Sequence, residues 1–253
     1  DRPTKVLNRA QSDALALYIN DKISNGDWTF NVGVRYEDIA GKLHNKQSGS
    51  KYQNSQYILA PGVGAHLQLT EKLGLLAGVY VGFSPAGPGK SGADAEESVN
   101  FEYGIRYEDG ELSAEAIGFF SDYKNLIGRC RASDANCNVG EEFNGGQIEI
   151  GGIELNTQMQ HPINDTIDFN SQISFTYTET AFQNSFLSGF SQWKLVQKGD
   201  ELPYVPKYAG RWQMGIGNGT WSLDAAVKYQ NQMRELPGVG EMIPGQHPAR
   251  LAT

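Results

Sequence analysis

The sequence predicts an all-β protein, an antiparallel β-barrel that crosses a membrane. Three observations carry this. Apolar and polar residues alternate with period two along nearly the whole chain, as they do in strands with two unlike faces. The connections between these runs alternate between short and long. Trp and Tyr recur on the apolar faces about one bilayer apart.

About ten strands are predicted, near 13–23, 28–38, 57–69, 73–84, 98–108, 111–123, 147–160, 166–180, 207–217 and 220–231. In DWTFNVGVRYED (27–38), Trp28, Phe30, Val32, Val34 and Tyr36 form one face and Thr29, Asn31, Gly33, Arg35 and Glu37 the other. Residues 57–69 alternate more weakly, and Pro61 predicts a local irregularity. In SVNFEYGIRYEDGELSAEAIGFFSD (98–122), Asp109-Gly110 joins two alternating runs as a hairpin turn. Val99, Phe101, Tyr103, Ile105 and Tyr107 stand opposite a face with Glu102, Arg106 and Glu108. Residues 147–160 change parity at Gly151-Gly152, which predicts a bulge there. Ile167, Phe169, Ile173, Phe175 and Tyr177 line one face of the eighth run. Trp221, Leu223, Ala225, Val227 and Tyr229 line one face of the last.

The short connections are Asn25-Gly26, 70–72, Asp109-Gly110, 161–165 and 217–219; the long ones are about 39–56, 85–97, 124–146, 181–206 and 232 onward. A soluble sandwich has no reason to sort its loops this way, whereas outer-membrane barrels have short periplasmic turns and long outer loops. Trp28 and Tyr36 are eight residues apart, as are Trp221 and Tyr229. Eight residues at about 3.3 Å, tilted by about 40°, rise roughly 20 Å, near the apolar band of such barrels. The apolar face therefore meets lipid, and the polar face lines a wet or protein-filled lumen. The strands must close on themselves, because hydrocarbon leaves no partner for an open edge.

Other classes are disfavoured. The 253 residues carry a formal net charge of −8, and no Lys/Arg cluster stands out in the sequence, so nucleic acid is not an expected partner. No apolar run is long enough for a transmembrane helix. Residues 1–5 do not open a signal peptide, so such a segment was removed or the N-terminus is not the natural one. No Gly-x-Ser-x-Gly, P-loop, dinucleotide fingerprint or HExxH motif appears, and no cofactor is expected. An enzyme on a barrel wall would need Ser-His or Asp-His partners. His66 is the only His placed within a predicted strand; His44, His161 and His247 fall elsewhere. Asn164-Asp165-Thr166 and Asn218-Gly219-Thr220 match a glycosylation pattern, which is idle in a bacterial setting.

Several stretches resemble the TonB-dependent outer-membrane receptors, in particular ferric-citrate and siderophore receptors. They are ALYINDKISNGDWTFNVGVRYEDI (16–39), GVYVGFSPAGPG (78–89), AEESVNFEYGIRYEDGELSAEAIGFFSDYKNLI (95–127) and ELPYVPKYAGRWQMGIGNGTWSLDAAVKYQNQ (201–232). Gly-Phe-Ser-Pro leads into a loop, Glu-Ser-x-Asn-x-Glu-x-Gly-x-Arg-Tyr forms a strand and Pro-Tyr-Val-Pro-Lys leaves a loop, in the family's order and spacing. The resemblance implies a 22-stranded barrel around a plug domain. Residues 1–253 then look like one partial barrel domain, strands 10 to 19, with plug, energy-coupling box and remaining strands absent. It implies a bacterial outer-membrane location. It also implies energy-coupled uptake of a ferric siderophore or ferric citrate-like chelate, and contact through the plug with the TonB energy-coupling complex. A passive channel or structural barrel is the alternative.

Cys130 and Cys137 lie in CRASDANC within a long loop. A disulfide closing this small loop is the expectation for the outer face of the envelope, with two free thiols as the alternative. Arg129 and Arg131 flank Cys130 and are candidates for holding an anionic chelate through paired guanidinium contacts; a solvated loop is the alternative.

Overall fold

The computed structural model describes residues 7–89, 94–129, 142–144, 146–187 and 195–241. The strands are β1 (Asn8–Asn25), β2 (Trp28–Asn45), β3 (Lys51–Gln68), β4 (Leu73–Ser84), β5 (Glu96–Glu108), β6 (Leu112–Lys124), β7 (Ile127–Arg129), β8 (Glu142–Asn144), β9 (Ile148–Asn164), β10 (Ile167–Phe182), β11 (Phe186–Leu187), β12 (Leu195–Val196), β13 (Tyr208–Gly217) and β14 (Ser222–Gln230). Ten of them form one antiparallel sheet in the order β1-β2-β3-β4-β5-β6-β9-β10-β13-β14. β7–β8 and β11–β12 are separate small hairpins within two of the long connections.

Registered residues share a face, so the ladders carry the sequence alternation across the whole sheet. One row reads Trp28, Leu67, Leu75, Ile105, Ala116, Leu155 and Phe175 over seven strands. On the opposite face a row reads Gln68, Gly74, Arg106, Glu115, Asn156, Ser174, Arg211 and Lys228. The apolar face is bare: Tyr57 is 80% exposed and Leu223 68%. A sandwich would bury one face of its sheet. Among the described residues the buried apolar side chains, Ile39, Ile58, Ala86, Ile148, Phe182, Val196 and Met233, all lie toward the long-loop end. Asp21 breaks the apolar stripe of β1, between Ile19 and Ile23 and opposite Val32.

Four of the five short turns share one device. Thr70, Asp109, Asn164 and Asn218 each accept hydrogen bonds on a side-chain oxygen from the backbone N–H groups two and three residues on. Such local bonds pre-form the reversal and satisfy amides that the ladder no longer reaches. At Asp109, donation from the Leu112 N–H and then from the Tyr107 hydroxyl holds the carboxyl below its usual range. The two glycosylation-like Asn residues are thus occupied in turns.

Five expectations change. Residues 39–56 are not a loop: β2 and β3, 18 residues each, run on as one long hairpin that turns near residues 46–50. Strands that outrun the bilayer lose the lipid-imposed contrast between faces, so their alternation fades. Gly151-Gly152 is not a bulge, because β9 pairs without a shift there on both sides, and the register shift lies at Ile167/Asp168 instead. Ile148 and Ile150 face the lumen side, where Ile148 packs with Phe182 and Val196 in a small loop core; Ile153 and Leu155 face lipid. The parity change marks a change of surroundings along one straight strand. The turn near 161–165 shortens, since β9 reaches Asn164. His44 and His161 also fall within strands. At Pro61 the expected irregularity is the end of a ladder: β3 and β4 pair only from Gly62↔Tyr80 toward the short turn.

Two outcomes test this arrangement in a receptor carrying this segment. Val32→Arg, on the lipid face midway between the belts, costs about 2–4 kcal/mol of folding stability in liposomes, whereas Asn31→Arg on the lumen face costs less than about 1 kcal/mol. Equal costs contradict the facing. Asn218→Ala costs about 1 kcal/mol in the same denaturant titration, because two turn amides lose their acceptor.

Candidate functional site

The lumen face of β1–β5 forms an open groove of about 780 Å³. Lys22, Arg35, His66, Tyr80, Glu102 and Arg106 are among its walls. The alternation places them there, each pointing away from lipid. Arg106 and Glu115 are register partners on β5 and β6, and Nε of Arg106 donates to the carboxylate at 2.7 Å. Arg35 Nε donates to Glu37 at 2.6 Å along β2. The Tyr80 hydroxyl donates to Glu102 at 2.9 Å. Higher on the wall, Asn100 and Ser98 are buried; Asn100 donates to Ser98 Oγ at 2.9 Å and accepts from Ser121 Oγ at 2.7 Å. Lys22, Arg211 and Lys228 have no ion-pair partner among the described residues. The wall thus combines fixed pairs with spare cations, an arrangement that suits a polar or anionic surface packed or passing inside it.

At the long-loop end, three segments close over the lumen side. After β4, residues 85–89 fold back across β2 and β3. Gln56 Nε2 donates to the Ala86 carbonyl at 3.1 Å, and its Oε1 accepts from the Ala86 N–H at 3.0 Å. Asn54 Nδ2 donates to the Gly87 carbonyl at 3.3 Å, and Oδ1 accepts from the Gly89 N–H at 2.7 Å. Two side-chain amides spaced by two residues on one strand face therefore substitute for a missing strand. Close approach explains the glycines: a Cβ on Gly41 would stand 2.8 Å from the Pro88 Cα, and Gly89 has φ +72°.

The β7–β8 hairpin rests on the wall beside it. Ile127 N–H donates to Glu96 at 2.6 Å, and Asn144 exchanges bonds with the Asp94 backbone at 3.0 and 3.2 Å. Farther round, the segment after β14 is tied to the one before β13. Buried Arg234 donates from Nε to Glu201 at 2.7 Å, Glu201 N–H donates to the Gly238 carbonyl at 2.9 Å, and Tyr204 N–H to the Arg234 carbonyl at 2.8 Å. Lys207 lies 3.1 Å from Glu179 and 5.8 Å from the centre of the Tyr177 ring.

Of the residues singled out in the sequence, Arg129 ends β7. Cys130, Arg131 and Cys137 lie outside the described residues, as does His247. Asn54, Gln56, Glu201 and Arg234 were missed. The spacing of Asn54 and Gln56 places them on one face; the loop that meets them is far away in sequence. Among the described residues no group of three or more His, Cys, Asp or Glu is placed to hold a metal ion.

The family described as TonB dependent receptor-like, beta-barrel matches residues 2–244. The chain belongs to this family. These proteins are receptors and transporters of the bacterial outer membrane, not enzymes. The pesticin receptor of Yersinia pestis is 23% identical over 214 residues, which cover 79% of this chain and 28% of that protein. Among solved structures, the ferric citrate transporter FecA in its unliganded form matches with a TM-score of 0.69 and 22% identity over 90% of this chain and 33% of its own. The siderophore receptor PiuA from Acinetobacter baumannii matches with a TM-score of 0.69 and 19% identity over 90% of this chain and 34% of its own. The chain thus spans about a third of the length of the proteins it matches.

The mouth yields one expected outcome. Gln56→Leu leaves the Ala86 N–H and carbonyl without partners and frees residues 85–89, while the ladder beneath is untouched. Hydrogen exchange across 85–89 rises at least about tenfold, matching a loss near 1–3 kcal/mol, and the barrel's melting temperature stays nearly constant.

Proposed function

We propose that this segment forms part of the wall and mouth of a receptor for energy-coupled uptake of an anionic ferric chelate, of the siderophore or ferric citrate kind. Membership of the TonB-dependent receptor family over residues 2–244 carries the reading. The charged lumen wall supports it: the paired Arg35 and Arg106 and the unpaired Lys22 around the groove suit a plug surface on the inside and an anionic cargo at the mouth. Arg129 and Arg131 stand in the proposed cargo loop, closed by a Cys130–Cys137 disulfide. Guanidinium groups bind carboxylate and catecholate oxygens through paired N–H donors. In this reading the plug, joined to the TonB complex, gates the pore.

The test is growth. A strain without its own ferric-chelate receptors expresses the whole receptor in iron-limited medium and is offered a panel of single ferric chelates. Growth on one or a few chelates is expected, and it vanishes when the energy-coupling complex is deleted. Growth that survives that deletion points to passive diffusion and overturns energy coupling. Arg129→Ala with Arg131→Ala is expected to raise the half-maximal chelate concentration about tenfold or more, in line with loss of charged hydrogen bonds.

A further inference from the structure

Between the two aromatic belts, Asp21 is the one charged side chain on the outward face among the described residues. Its neighbours on that face are Ile19 and Ile23 along β1 and Phe30, Val32 and Val34 on β2. Lys22, next in sequence, lines the groove on the other face. Asp21 makes no hydrogen bond or ion pair among the described residues. Its register partner Val32 lies midway between Trp28 and Tyr36. The carboxyl is therefore roughly 7–10 Å from the nearer belt, and a side chain of one methylene cannot reach water from there. A charge held in hydrocarbon needs a partner.

The strand that carries Asp21 also has a bare edge. All 18 residues of β1 are exposed, on both faces, and Tyr18 on the lumen side is 76% exposed. β1 and β14 stand at opposite ends of the sheet, so among the described residues only β2 pairs with β1. Hydrocarbon does not tolerate such an edge, and a further strand must lie against it. The chain spans about a third of the length of the proteins it matches, so the rest of the receptor supplies that strand. A strand in that place is about 4.8 Å from β1 and sets its own outward side chains directly beside Asp21. A second protein would have to reach Asp21 through lipid, whereas the neighbouring strand is there by necessity. An apolar residue there cannot satisfy a carboxylate, and a neutral donor cannot offset its charge. The long stems of Lys and Arg cover both the register position and its diagonals. We propose that Asp21 forms an ion pair within the membrane with a Lys or Arg on the outward face of the strand that pairs with the free edge of β1, a segment of the same receptor outside the described residues.

The whole receptor, purified and refolded at high dilution into liposomes, tests this by urea titration. Asp21→Leu suits the lipid face, yet it lowers the folding equilibrium constant about thirtyfold or more, because a basic side chain is left bare in hydrocarbon. An unchanged or raised constant overturns the proposal, since the carboxyl then stood without a partner. Each Lys or Arg on the outward face of the strand beside β1, at the register position of Asp21 or one diagonal step away, is next replaced by Leu in both backgrounds. One such change weakens the otherwise wild-type receptor. Combined with Asp21→Leu it restores folding to within about threefold of wild type, because an apolar pair replaces the ionic one. No basic residue at those positions, or no double variant better than Asp21→Leu alone, overturns the proposal. If Asp21→Leu does not refold, recovery of folding in a double variant carries the test, and failure of every double variant overturns it. Loss of stability in whole outer membranes but not in liposomes holding the receptor alone also overturns it, in favour of a second membrane protein as the partner. None of these outcomes depends on which chelate the receptor carries or on energy coupling.

Discussion

A backbone N–H or carbonyl in hydrocarbon has no water to turn to, so it must be bonded within the protein. That constraint shapes the rest of this structure. It requires an unbroken ladder from strand to strand, and the ten-stranded meander supplies one. A pleated ladder has two faces at every residue. One meets lipid and is apolar; the other meets the lumen and is free to carry charge. Arg106 and Glu115 can pair on the inner face because Ile105 and Ala116 already cover the outer one. Order here comes from the ladder and the solvent on each side rather than from a shared apolar core.

The constraint lapses above the outer belt, and the protein changes character there. Strands continue into water as hairpins, and inner-face residues such as Ile39, Ile58, Ile148 and Phe182 become buried beneath returning loops. Polar side chains assume the ladder's role: Gln56 and Asn54 pair with the loop after β4, and Arg234 joins two loops through Glu201. A receptor mouth needs surfaces that can differ between relatives without disturbing the barrel. Separating a membrane-dictated wall from a side-chain-held mouth provides that.

Much of the wall was legible in the sequence. The period-two runs located all ten long strands, and turn residues such as Asp109 and Asn218 located their reversals. What was not legible lies where lipid no longer enforces contrast. The extension of β2 and β3 through 39–56 was hidden because Ile39 and Leu43 face the lumen side while Lys42 and His44 face outward, inverting the pattern below. The same inversion at Gly151-Gly152 imitated a bulge.

The central claim is that the two faces of these strands meet lipid and lumen. Single cysteines placed one at a time along residues 28–36 of the full receptor in liposomes test it directly. Each is labelled with a lipid-confined reagent and with a water-soluble one. The account predicts strict alternation: Phe30, Val32 and Val34 react from lipid, and Thr29, Asn31, Gly33 and Arg35 do not. Lipid labelling at consecutive positions, or water labelling at Val32, would contradict it.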